Sequence, residues 1–183
     1  MKWTAQNSIP FIFSLLFCFI IIGCEGKFRD VQKMGFAEFS PSGDAEDIDL
    51  KYTDSGRITA NLLSPEMLDY ATVEYPFTEF PKGIHLTLYD KNGKETYIDA
   101  KYAISHKATN IIDLQDNVKI YNQTGEMLET EQLYYDQKNE WFFTEKKFKF
   151  TSPKGVSYGE GIDFSKDFKK VNSKKVSGEV QSE

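Results

Sequence analysis

The chain has 183 residues, 40% hydrophobic and 27% charged, an ordinary globular composition with room for one domain and an appendage. The formal net charge is −6 and Lys is interleaved with Asp and Glu, so the concentrated basic face that binding to phosphate backbones requires is missing and nucleic acid is excluded as a partner. Fifteen Phe and ten Tyr against six Pro favour sheet over helix, because flat side chains fit a pleated, half-buried surface.

The first residues read as a processing signal. Lys2 supplies a short positive region, Ile9 through Ile22 is an apolar run broken only by Pro10, Ser14 and Cys18, and Gly23-Cys24 ends it. Ile21-Ile22-Gly23-Cys24 resembles the bacterial lipobox, in which the chain is cut before the cysteine and that cysteine carries the lipid. The alternative is an uncleaved anchor helix, but spanning a bilayer takes about 20 apolar residues and this run is shorter. The expected organisation is therefore a lipoprotein signal peptide over 1–23, lipidation at Cys24, a tether over 24–45 and one domain over 46–183. Cleavage removes Cys18 and the lipid caps Cys24, leaving a domain with no thiol for a disulfide or a cysteine metal site.

From Ile48 onward apolar and polar residues alternate. Ile48, Leu50 and Tyr52 share one face; after the Asp54-Ser55-Gly56 turn, Ile58, Ala60 and Leu62 continue it. Ser64-Pro65 reads as the cap and first position of a single helical turn reaching Tyr70. The two prolines of Tyr75–Gly83 predict an edge strand or a loop rather than a central strand. Ile84, Leu86 and Leu88 run into Asp90-Lys91-Asn92-Gly93, whose Asn-Gly is the strongest hairpin signal in the chain. Ile98, Ala100, Tyr102 and Ile104 then share one face, Ile112, Leu114, Val118 and Ile120 continue around Asp116-Asn117, and Leu128 and Leu133 to Tyr135 follow Gly125. Phe148 and Phe150 alternate with lysines before the turn at Gly155, and Val156 with Tyr158 comes next. Phe164, Phe168 and Val171 predict a short last strand, with fraying from Ser173.

Gly56, Gly93, Gly125 and Gly155 each open such a unit, at intervals near thirty residues. Repeated two-strand units too small to bury their own faces stack to make a core. The fold class is all-β, an antiparallel sandwich or open barrel. An open roll leaves two edges able to pair with another chain.

Catalytic material is sparse. His85 and His106 are the two histidines, and neither is near a carboxylate cluster in sequence; GxSxG and Walker loops are absent. Gly155, Gly159 and Gly161 precede no helix, which argues against a phosphate cradle. Acidic pairs such as Asp113 and Asp116 or Glu129 and Glu131 read as solvated strand surface. The chain is expected to be no enzyme and to need no cofactor.

Taken together, the N-terminal anchor, YTDSGRITANLLSPEM, YPFTEFPKGIHLTLYDKNGK, IDAKYAI, NQTGEMLETEQLYYD and YGEGIDFSKDF resemble the LptC family of the lipopolysaccharide-export apparatus, in the lipoprotein form of Bacteroidetes-type bacteria. The resemblance covers roughly 36–180. It implies a twisted, half-open β-jellyroll like that of LptA, and a periplasmic carrier held at a cell membrane, expected to be the inner one. Such a carrier receives lipopolysaccharide from an inner-membrane ABC transporter and passes it to an LptA-like jellyroll through edge strands. In its lipobox the chain departs from members that keep a transmembrane helix. A plain lipoprotein adaptor with a filled core is the alternative. Alternation and place in the roll nominate Ile98, Ala100, Tyr102, Ile104, Ile120, Leu128, Tyr135, Phe150 and Tyr158 as lipid-lining residues.

Overall fold

The computed structural model describes residues 40–180. The expected signal peptide, the expected lipidation site Cys24 and residues 24–39 of the expected tether lie outside them. Eleven strands follow one another: β1 (Gly43–Asp54), β2 (Arg57–Tyr70), β3 (Phe77–Phe80), β4 (Ile84–Tyr89), β5 (Glu95–Ala100), β6 (Tyr102–His106), β7 (Ile111–Asn122), β8 (Met127–Asp136), β9 (Trp141–Ser152), β10 (Gly155–Ser165) and β11 (Val171–Val180). Every pairing is antiparallel. The all-β, jellyroll-like fold expected from the sequence is the one observed.

The sheet is best described as two leaves joined along a bend. In leaf A the order is β11-β10-β9-β8-β7-β5-β4-β2-β1; in leaf B, β6 and β3 take the places of β5 and β4. The long strands cross from one leaf to the other. β7 pairs with β6 over Ile111–Gln115 and with β5 over Lys119–Asn122. Register shifts mark the crossing, between Gln115 and Val118, Thr130 and Tyr134, and Glu160 and Ile162. Bulges bend a strand and increase its twist, and a row of them turns a flat sheet into a roll.

Local chemistry explains why the bend falls there. Asp47, Asp116 and Asn117 have left-handed backbones (φ 52°, 63° and 52°), a conformation that Asp and Asn tolerate better than β-branched residues. Gly83 (φ 84°) also stands on this line, where a Cβ would meet the Ala100 carbonyl oxygen at 2.4 Å. Bulges release backbone groups from the ladder, and buried hydroxyls take them up. Ser64 donates to the Gly83 carbonyl at 2.8 Å, Thr130 donates to the Lys147 carbonyl at 2.9 Å, and the Lys146 amide donates to Thr144 at 3.0 Å.

Three sequence expectations are corrected here. Ser64–Tyr70 is strand, not a helical turn: Leu68, Asp69 and Tyr70 pair with β3, and Ser64-Pro65 lies at the bend. Phe77–Phe80 is a central strand between β2 and β6, because Pro76 and Pro81 flank the four pairing residues without interrupting them. The last strand is longer than predicted, since β11 pairs with β10 from Val171 to Val180.

Candidate functional site

The inner faces of the two leaves enclose the core. Leaf A contributes Leu62, Leu86, Leu88, Ile98, Ile120 and Leu128; leaf B contributes Phe80, Ala103, Ile112, Leu114, Leu133, Tyr135, Phe142 and Phe164. An aromatic series runs through it, with Tyr135 stacked on Phe142 at 4.4 Å, Phe142 on Phe164 at 5.3 Å, Phe164 on Phe168 at 5.0 Å and Phe168 on Phe150 at 6.2 Å. Packing is dense: Ile98, Ile120, Leu128, Leu133 and Phe142 have no accessible surface.

Opposite the bend the leaf ends approach each other without pairing. Here a cavity of about 180 Å³ lies between Tyr52, Ala60, Leu62, Leu86 and Leu88 of leaf A and Phe80, Ile112 and Tyr135 of leaf B, with Gln137, Glu140 and Lys166 at its rim. Outside it a polar cleft of about 780 Å³ is walled by the turns at Asp54–Thr59, Tyr89–Gly93, Asn139–Trp141 and Ser165–Lys170. A narrow throat, apolar toward the core and polar at its rim, therefore lies between the interior and a charged vestibule. Burial, with the charges of Glu140 and Asp136, pushes the Tyr135 phenol far up, so it stays neutral.

Six of the nine nominated residues face this interior: Ile98, Ala100, Ile120, Leu128, Tyr135 and Phe150. Three do not. Lys101 separates β5 from β6 and donates its amide to the Asp116 carbonyl at 3.1 Å, and the break reverses the alternation. Ala103 is consequently buried, and Tyr102 and Ile104 turn to the outer face, where the Tyr102 hydroxyl donates to Glu79 at 2.7 Å. Desolvation and then Glu79 raise the Tyr102 phenol to about 12. Tyr158 pairs with Lys149, which pairs with Glu129 on the same outer row, and is 53% exposed. The sequence reading passed over Leu62, Leu86, Leu88 and Ile112, although the alternation of the first three already marked an apolar face.

The outer face of leaf A brings one surprise. The β4–β5 register sets Asp99 opposite His85, with His85 Nδ1 2.7 Å from Asp99 Oδ1 and Thr87 Oγ1 3.5 Å from His85 Nε2. The two residues are fourteen apart in sequence, so no local motif announced the pair. The outline is that of a nucleophile, base and orienting carboxylate, but the hydroxyl contact is long and β4 lies inside the sheet between β2 and β5, its amides committed to the ladders instead of to an oxyanion. Among the described residues no group of three His, Cys, Asp or Glu could hold a metal, and no helix is long and apolar enough to cross a membrane.

The family profile described as lipopolysaccharide-assembly, LptC-related, matches residues 46–179. The chain belongs to the LptC family. Membership gives it a role in lipopolysaccharide transport at the periplasmic side of the envelope, as a transport component and not as a member of an enzyme family. No curated protein matches the chain. Within this LptC-family domain the Gly159-Glu160-Gly161 sequence has a structural basis. A Cβ on Gly159 would meet the Lys175 carbonyl oxygen at 2.3 Å and the Phe148 ring at 2.6 Å, and Gly161 has φ 75° in the β10 bulge.

Proposed function

We propose that this LptC-family chain is a lipid-anchored periplasmic carrier. Removal of residues 1–23 leaves lipid on Cys24, residues 24–45 tether the roll to the membrane, and the roll takes lipopolysaccharide from an inner-membrane ABC transporter. It hands the lipid to an LptA-like jellyroll. A saturated chain of about fourteen carbons costs on the order of 10 kcal/mol in water, at roughly 0.8 per methylene, so a many-chained lipid does not cross an aqueous gap free. The two-leaved apolar interior with a narrow throat on its open side carries this reading. Handover fits the two outermost strands, since among the described residues β1 pairs only with β2 and β11 only with β10. A partner jellyroll adds to such an edge by main-chain hydrogen bonds.

The throat, about 180 Å³, is smaller than the roughly 300–1,000 Å³ of ordinary ligand pockets, so loading requires the leaves to part. That same dense packing favours a second reading, an adaptor with a filled core. A photo-crosslinking amino acid at Leu128 or Tyr135 distinguishes the two in living cells. The carrier captures lipopolysaccharide at these positions and not at Lys101 or Tyr102, whereas equal labelling inside and out, or none inside, leaves the adaptor.

A further inference from the structure

The turn between β10 and β11 differs from the others at the open side. Turns generally stay on the surface, yet this one buries an aromatic ring. Phe168 is 5% exposed, between Phe150 of leaf A and Phe164 of leaf B, at the end of the interior where the leaves separate. Its backbone is left-handed (φ 57°), uncommon for a bulky residue and maintained only where surrounding contacts hold it. Those contacts tie leaf to leaf. On the leaf B side, the Lys166 amide donates to the Glu140 carbonyl at 3.0 Å and its ammonium lies 2.6 Å from the Glu140 carboxylate. On the leaf A side, Thr96 donates to the Lys166 carbonyl at 3.3 Å and the ammonium reaches the Tyr89 carbonyl at 3.4 Å. The Lys166 side chain is only 14% exposed and forms part of the throat rim.

The vestibule outside carries charges of both signs, with cations in a slight excess. Five cations, Arg57, Lys91, Lys166, Lys169 and Lys170, and four carboxylates, Asp54, Asp90, Glu140 and Asp167, line it. Lys166 and Lys169 are held by Glu140 and Asp167, while Arg57, Lys91 and Lys170 are in no ion pair among the described residues. An acyl chain entering the throat would leave its anionic group beside these three cations.

We propose that the Ser165–Lys170 turn is the gate of the roll. The Phe168 ring occupies the space an acyl chain takes between the leaves, and Lys166 latches the gate by joining Tyr89 to Glu140. A phosphate-bearing acyl lipid is admitted when the latch opens and its phosphate engages Arg57, Lys91 and Lys170. The proposal rests on the carrier reading, and its test separates the two.

Association of fluorophore-labelled lipopolysaccharide with the full chain is followed by stopped flow for the wild type, Phe168→Ala and Lys166→Met, each checked for strand content by circular dichroism. The second variant frees the latch without emptying the core, and keeps the test decisive if the first does not fold. Each folded variant is expected to associate about tenfold faster than the wild type, and a dephosphorylated probe to associate more slowly with all three. A wild-type rate in a folded variant overturns the gate and leaves the carrier standing. A rate indifferent to phosphate overturns the anion site. Failure of the wild type and both variants to bind the probe removes carrier and gate together.

Discussion

The Ser64 hydroxyl, on a side chain only 5% exposed, donates to the carbonyl of Gly83, nineteen residues away, at 2.8 Å. The same oxygen lies 2.8 Å from the Glu66 carbonyl, so its single proton is shared between the two carbonyls, and it accepts from the Glu66 amide at 3.3 Å. One hydroxyl thus ties β2 to the link between β3 and β4 at the bend. Ser64→Ala leaves the Gly83 carbonyl buried without its partner and is expected to destabilise the domain by about 1–3 kcal/mol. A urea titration measures it, with the midpoint falling and the slope unchanged.

Asn117 tests the backbone side of the same bend. At φ 52° glycine is acceptable and a β-branched residue is not. Asn117→Gly is expected to change stability by no more than a few tenths of a kcal/mol, and Asn117→Val to cost about 1–2 kcal/mol. Thermal unfolding of the pair separates conformational strain from the loss of a polar side chain, which both variants share.

Gly159 keeps the last strand in place. Any side chain there strikes the Lys175 carbonyl and the Phe148 ring, and the backbone contact cannot be relieved by a rotamer change. Gly159→Val is expected to detach β11 while most of the roll stays folded. Hydrogen exchange reads this as lost protection over Val171–Val180 with protection kept over Ile111–Asp136.

Acid should loosen the β10–β11 turn first. Desolvation pushes the Asp167 carboxyl up, but hydrogen bonds from Lys169 and Ser165 outweigh it and draw the group down to about 2. A carboxyl lowered in the folded state stabilises that state above the unfolded aspartate value, near 3.9, and the contribution is lost as pH falls through about 2. Between pH 4 and 2 the turn amides are expected to lose protection in NMR exchange. Asp167→Asn is expected to abolish that pH dependence, leaving the turn equally protected at both ends of the range.

The two faces of the roll make a functional prediction. Tyr158→Ser alters an outward side chain and is expected to leave lipopolysaccharide binding unchanged, whereas Tyr135→Ser alters the throat and is expected to weaken binding at least tenfold. Equilibrium titration with labelled lipopolysaccharide, on samples matched for strand content, compares them.

Alternation is a local property, and it specified the strands well. The turn at Asn92-Gly93, the apolar rows of Leu86, Leu88, Ile98 and Ile120, and the family's segment order were all legible in the sequence, because each depends on neighbours a few residues apart. The same reasoning put Tyr102 and Ile104 with Ile98, since period two carries a face forward only while the strand stays regular. A break at Lys101, and the bulge at Asp116-Asn117 bonded to it, reversed the faces through a contact between distant segments. Tertiary structure also decided that Phe77–Phe80 lies inside the sheet, that Asp99 meets His85, and that Phe168 fills the end of the interior. Each of these depends on which strands become neighbours, and the sequence order of residues far apart does not by itself determine that.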